Sequence, residues 1–237
     1  MIRFYAPDID TLQALPEAES AHAVRVLRKK AGDEIEAVDG KGYIYRCRLI
    51  TDHPKSAAVE IIERIVAPKV WKPEICLAVA PTKNNDRMEW LVEKAVEIGI
   101  DSFVPILTSR SERRQIKTER LEKIAVSAMK QSLKAILPTI HPMTPLKDFL
   151  KGISPQAQKF VGWCDSESDR RLLAKACRPA TDTTILIGPE GDFTPEEIEA
   201  CLAAGFTAVT MGDNRLRTET AALVGVDTVH IINQAFS

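Results

Sequence analysis

The sequence predicts an α/β fold: a parallel-sheet domain preceded by a smaller, β-rich one. Three observations carry this. Two strand–loop–helix units stand in succession between Thr184 and Leu223, and consecutive units of that kind imply a parallel sheet. Apolar strand runs alternate with helical periodicity from Ile75 onward. Residues 1–70 instead show short strands joined by tight turns, the pattern of a small barrel.

Taken in order, Ile2–Tyr5 reads as the first strand, and Glu17–Leu27 as a short helix with Ala21, Val24 and Leu27 on one face. Glu34–Val38 and Tyr43–Thr51 are strands around Asp39-Gly40-Lys41-Gly42, a hairpin signal, and Ala57–Ile65 is another strand. Ala67–Pro73 is a proline-bracketed linker, which sets the domains at 1–70 and 71–237. Beyond it Ile75–Ala80 is a buried-strand run. Asn84–Ile98 is a helix with Met88, Leu91, Val92, Ala95 and Ile98 at core spacing, stopped by Gly99. Phe103–Leu107 is a strand, Ser109–Arg114 a basic loop, and Glu119–Leu137 a long helix ended by Pro138. Asp148–Leu150 belongs to a short helix, Phe160–Trp163 to a strand, and Asp169–Ala176 to a helix.

The two organising units follow. Ile185–Ile187 ends in Gly188-Pro189-Glu190-Gly191-Asp192-Phe193, and the next helix starts with a capping Thr194, Pro195 and Glu197 in capping-box position. Ala208–Met211 ends in Gly212-Asp213-Asn214-Arg215-Leu216-Arg217. Thr218–Ala235 closes the chain as a helix apolar on more than one face, fit for the core or for half of a subunit interface. Glycines admit a ligand to the backbone, and helix starts favour anions. Neither G-x-G-x-x-G nor G-x-x-x-x-G-K-[ST] occurs, which weighs against a dinucleotide or a nucleoside triphosphate. Spacing alone is equally consistent with two ordinary strand-to-helix turns.

With 32 Lys and Arg against 33 Asp and Glu, partner preference must come from local clusters. Two stand out: Arg25, Arg28, Lys29 and Lys30, then Arg110, Arg113 and Arg114. Each suits RNA phosphates; the first, taken alone, better suits a solvated helix end. No apolar run is long enough to span a membrane, and the start of the chain lacks a signal-peptide pattern. Five scattered cysteines fit reduced thiols in a cytoplasmic protein. Without C-x-x-C, and with four histidines far apart, no metal site is expected.

Four segments in order then resemble a known family. They are His22…Val26-Leu27-Arg28…Gly32-Asp33…Asp39-Gly40-Lys41-Gly42, Lys94-Ala95-Val96-Glu97-Ile98-Gly99-Ile100, Ile187-Gly188-Pro189-Glu190-Gly191, and Met211-Gly212…Leu216-Arg217-Thr218-Glu219-Thr220-Ala221. Together they resemble the RsmE family, small-subunit (16S) ribosomal RNA uridine N3-methyltransferases of the SPOUT, or trefoil-knot, superfamily. The resemblance implies a PUA-like β-barrel for RNA over 1–70 and a knotted methyltransferase domain over 71–237. It also implies S-adenosylmethionine (SAM) as cofactor and a homodimer acting in the cytoplasm on 16S rRNA or the small ribosomal subunit. Mapped onto the two loops, it makes Ile187, Gly188, Glu190, Gly191, Met211, Gly212, Leu216 and Arg217 the cofactor residues. The chain departs from the family pattern at Asp192, where a glycine is usual, and at Asn214 and Lys134, where arginines are.

Neutral uracil N3 carries a proton, so methylation needs that proton removed or the forming anion stabilised. Arg217, on the second loop, is the candidate cation, and Glu190 a candidate orienting group or base. The competing role for Arg217 is an ion pair with Glu219 or Glu190. Three other functions stay open: the same fold acting on transfer RNA, a non-catalytic RNA-binding module, and an enzyme of phosphate metabolites.

Overall fold

The computed structural model describes residues 2–163 and 170–236. The chain divides into two compact units, Met1–Val70 with Val126–Leu137, and Trp71–Ala125 with Pro138–Ser237. The sequence expectation assigned all of 71–237 to one domain; Val126–Leu137 lies instead in the first unit.

The first unit contains β1 (Arg3–Tyr5), α1 (Ile9–Leu12), α2 (Glu17–Ala21), β2 (Glu34–Val38), β3 (Tyr43–Leu49) and β4 (Val59–Val66). The strands pair in the order β1-β2-β3-β4, with β1 parallel to β2 and the other pairs antiparallel. In β3, Tyr45, Cys47 and Leu49 are buried while Arg46 and Arg48 face solvent, the two-residue period of a sheet with one wet face. Phe4, Ile9, Leu15 and Ile35 complete that core. The expected helix over Glu17–Leu27 is α-helical only to Ala21 and continues as a π-helical turn over His22–Val26. In that wider turn Leu27 N–H donates to His22 O at 3.0 Å, and Ala23 is fully buried.

The helix expected over Glu119–Leu137 ends at Gln131. Leu133 takes a left-handed φ of 56°, which breaks helical geometry. The following backbone bonds to the β2–β3 turn instead: Gly42 N–H donates to Ala135 O (3.0 Å), and Leu137 N–H to Gly40 O (2.9 Å). Long-range pairing thus overrides local helical periodicity.

The second unit holds β5 (Ile75–Val79), α3 (Asn85–Ile98), β6 (Ser102–Leu107), the start of α4 (Thr118–Gln131), β7 (Thr139–Ile140), β8 (Thr144–Pro145), α5 (Leu146–Gly152) and β9 (Gln158–Gly162). After these come β10 (Arg171–Leu172), α6 (Leu173–Ala176), β11 (Thr183–Ile187), α7 (Pro195–Ala203), β12 (Thr207–Thr210) and α8 (Thr218–Ala235). The helix expected over Asp169–Ala176 is therefore a two-residue strand followed by one helical turn; Asp169 lies outside the described residues.

The sheet runs β10-β12-β9-β11-β5-β6-β7, with β8 also on β6, and every pairing is parallel. At its centre all of β11 is buried, as a strand covered on both faces requires. Ala222, Gly225, Val226 and Val229 of α8 are buried. A Cβ at Gly225 would lie 3.3 Å from Ile185, so α8 presses close on β11. Asn84 caps α3 by accepting from Asp86 N–H (2.8 Å), and His230 Nε2 of α8 donates to Gly99 O (2.7 Å) beyond the end of α3. Register sets Ile187 level with Val79 and Gly162, and Val209 level with Gly162. The C-terminal ends of these strands therefore finish together.

Candidate active site

Strands that end in register deliver their loops to one place, the usual ligand edge of a parallel sheet. A cavity of about 870 Å³ lies there, lined from the ends of β9, β11 and β12 and the start of α8. The first loop is a β-turn in which Asp192 N–H donates to Pro189 O (2.9 Å). Asp192 has a φ of +60°, the conformation that favours glycine and that Asp tolerates better than most residues. Its Oδ1 accepts from Phe193 N–H at 2.8 Å, which supports the strained backbone locally. This explains how the chain departs from the glycine pattern without losing the turn. Phe193 is buried with its ring against Gly188, where a Cβ would sit 2.9 Å from the ring. The α7 capping box is present as the sequence indicates: Thr194 Oγ1 accepts from Glu197 N–H, and Glu197 Oε2 from Thr194 N–H.

The second loop turns at Gly212, whose φ is +134°. Thr210 Oγ1 donates to Gly212 O (2.6 Å), and Thr218 Oγ1 donates to Gly188 O (3.1 Å), fastening the second loop to the first. Neighbouring loops reinforce both. Arg110 Nη1 donates to the carbonyls of Gly191 (3.0 Å) and Phe193 (3.1 Å), and Glu197 Oε1 accepts from Ser109 N–H (2.7 Å). Arg113 Nε donates to Thr82 O, and Glu190 Oε1 accepts from Lys83 N–H at 3.2 Å. The loops after β5, β6 and β11 are therefore laced together by side chain–backbone bonds.

Ile187, Gly188, Glu190, Gly191, Met211, Gly212, Leu216 and Arg217 all line this one cavity. Gly162, Trp163, Arg170, Thr210 and Ala221 line it too and were missed from the sequence. The available signal was the strand ending at Trp163, but its end joins the site only because β9 lies between β11 and β12. Arg217 is exposed, N-terminal to α8; its carbonyl accepts from Ala221 N–H (2.8 Å), while its side chain makes no hydrogen bond or ion pair among the described residues. Neither partner suggested for it takes it: the buried Glu219 faces Arg87 (3.7 Å), and Glu190 bonds Lys83 N–H. Arg110, expected to meet RNA, directs Nη1 at the first loop, while Arg114 is exposed. In the first unit Arg25 and Arg28 are exposed without partners among the described residues. Lys29 Nζ donates to Glu34 O, and Lys30 pairs with Asp52 at 3.4 Å.

A wholly parallel sheet that gathers glycine loops and a long closing helix at one cavity defines an α/β ligand-binding class, here an RNA methyltransferase domain accompanied by a PUA-like unit. The RNA methyltransferase domain family matches residues 70–230, and the RNA methyltransferase PUA domain matches residues 15–62. The chain belongs to the RsmE family of RNA methyltransferases. It is similar to a crystal structure of a probable rRNA-methyltransferase from Porphyromonas gingivalis (42% identity, all of both chains covered, TM-score 0.95). It is also similar to the SAM-bound ribosomal RNA small subunit methyltransferase E of Neisseria gonorrhoeae (28% identity, 98% of each chain, TM-score 0.86). The enzyme of the same name from Mesomycoplasma hyopneumoniae is 32% identical over 76% of this chain and 78% of its own length. Among the described residues no cluster of three metal-ligating side chains occurs, and no helix is long and apolar enough to cross a membrane.

Proposed function

We propose that this chain is a SAM-dependent methyltransferase that methylates N3 of one uridine in 16S ribosomal RNA. The observation that carries the reading is the convergence of both glycine loops, with Arg217 and Glu190, on one cavity in a chain of this family. The cavity suits SAM on its own chemistry. Ile187, Val209, Met211 and Leu216 give an apolar wall, while Glu190, Asp192, Asp213, Arg170 and Arg217 give charges of both signs, as a zwitterionic sulfonium requires. When bound in this cavity, SAM would supply an electrophilic methyl whose carbon–sulfur electron pair would leave with sulfur.

The protein's part is to ready the acceptor. Glu190 accepts the N3 proton, and Arg217, a planar donor pair, steadies the negative charge that then spreads onto the uracil carbonyl oxygens. Holding N3 in line with the methyl completes the task. The exposed Arg25 and Arg28 of the first unit support a role for that unit in gripping RNA phosphates, with Lys29 and Lys30 beside them. The exposed Ile231 of α8, with the half-buried Leu223, Val224 and Ile232 on the same helix, supports a homodimer built through that helix. A ribosomal substrate puts the enzyme in the cytoplasm.

The test is calorimetric titration with SAM, together with mapping of methylated uridines in RNA from cells with and without the protein. The expected result is SAM binding and loss of one N3-methyluridine from 16S rRNA. Loss from a transfer RNA instead would reassign the substrate. Absence of SAM binding would leave an RNA-binding module.

A further inference from the structure

A second cavity, of about 600 Å³, adjoins the first at Glu190. Lys83, Asn84, Asn85, Arg87, Arg113 and Glu190 line it. We propose that this cavity is the acceptor-nucleotide subsite, seating the uracil ring of the target nucleotide and its adjoining phosphate. The inference rests on the methyltransferase reading and adds where the methylated nucleotide sits.

Three features point the same way. The first is position. A methyl acceptor must reach the donor's cavity while its sugar and phosphate stay outside, and Glu190 is the residue common to both cavities. The second is charge. Lys83, Arg87 and Arg113 outnumber the two carboxylates of the lining, Asp86 and Glu190, and the first-turn N–H groups of the 14-residue α3 open beside them. Among the described residues Lys83 Nζ is held only by an exposed pair with Glu112 (3.1 Å), which a phosphate can replace at little cost. Arg87 is steadied from behind by the buried Glu219, and Arg113 uses Nε and Nη2 on the carbonyls of Thr82 and Lys83 while its Nη1 makes no hydrogen bond among the described residues. Arg87 and Arg113 are thus set in place rather than loose on the surface. The third is base chemistry. Uracil presents an N3–H donor between two carbonyl acceptors; Glu190, common to both cavities, offers the matching acceptor, the carboxamides of Asn84 and Asn85 offer donors to one carbonyl, and Arg217, which lines the first cavity, serves the other. Asn84 Oδ1 already accepts from Asp86 N–H, which leaves its NH₂ for the ligand. Cytosine lacks the N3 proton and offers only one carbonyl, so it fits this set less well.

The test uses the full chain saturated with S-adenosylhomocysteine and a trinucleotide carrying 5-iodouridine at its centre. Ultraviolet crosslinking followed by peptide mapping should place the adduct within residues 83–87, or at Arg113 or Glu190. Unlabelled uridine 5′-monophosphate should compete at least threefold better than cytidine 5′-monophosphate. The Lys83→Ala/Asn85→Ala double variant, altering exposed side chains, should lose tenfold in crosslinking while its melting temperature and its affinity for S-adenosylhomocysteine stay unchanged. Wild-type protein that methylates small ribosomal subunits but crosslinks only elsewhere would overturn the subsite and leave the methyltransferase reading standing. Crosslinking in this cavity by a protein that transfers no methyl to any RNA would overturn the methyltransferase reading and, with it, the acceptor role.

Discussion

Arg217 stands before the first turn of α8, and its side chain has no partner among the described residues, so removing that side chain breaks no tie among them. Its loss is expected to appear in turnover. Arg217→Ala should lower kcat about a hundredfold, as when one charge-stabilising donor is removed. Lysine should restore only part, since a point charge lacks the planar fork. Melting temperature should hold. An early-melting Arg217→Ala that methylates normally per folded molecule would refute the catalytic role. Asp192 gives the opposite kind of test, because its role is conformational. Asp192→Gly should keep the turn, whereas Asp192→Val should cost about 1–2 kcal/mol in a denaturant melt, the penalty of a branched residue at positive φ. Both residues were legible because each lies in a contiguous loop between a strand and a helix. Trp163 and Arg170 were not, since they join the site through strand order, which local sequence does not encode.

Among the elements, α7 shows local and long-range signals agreeing. Its start was readable from Thr194, Pro195 and Glu197 alone. Unreadable was the second use of Glu197, which also accepts from Ser109 N–H and Ser109 Oγ and so ties the loop after β6 to the helix. Glu197→Ala should therefore cost more than Thr194→Ala: about 1–2 kcal/mol against about 1 kcal/mol, in matched urea melts. Equal losses would mean that the Ser109 tie contributes nothing in solution. α4 shows the signals in conflict. Its periodicity continues to Leu137, but the chain gives up helical bonds after Gln131 to pair Ala135 and Leu137 with the Gly40–Gly42 turn. The π-helical turn at His22–Val26 is a smaller case, where burial of Ala23 coincides with a wider turn than periodicity suggests.

At the scale of the whole molecule, pH sensitivity follows from buried thiols. Burial pushes Cys47 up to about 11 and Cys201, with a smaller contribution from Glu197, up to about 12, from an ordinary value near 9.0. Burial first, then its hydrogen bond to Asp10, also raises Tyr45. A raised folded-state pKa favours the protonated fold, so this contribution is full below about pH 9 and is lost as pH climbs toward 12. Denaturant midpoints should fall across that window, and Cys201→Ala should flatten the fall; a flat profile in the parent protein would contradict the buried thiols. Assembly is the second expectation at this scale. Sedimentation should show a dimer, and Ile231→Asp, at a side chain 54% exposed on α8, should shift it toward monomer. A wild-type monomer active at micromolar concentration would reject it. The parallel sheet and its ligand edge were legible from alternating runs of strand and helix. The allotment of residues 126–137 was not, because it depends on contacts made across much of the chain.

That allotment bears on the order of synthesis. The amino-terminal unit emerges from the ribosome first, yet part of its packing is supplied by a segment translated much later. The Gly40–Gly42 turn waits for Ala135 and Leu137, and Glu19 waits for Lys130. At ordinary elongation speeds the interval between residues 70 and 137 is about 3–13 s. Throughout it the nascent first unit lacks the packing of residues 126–137, while β5, α3 and β6 are already being made. Neither unit can be finished strictly before the other begins, so a chain that stalls within α4 leaves both unfinished.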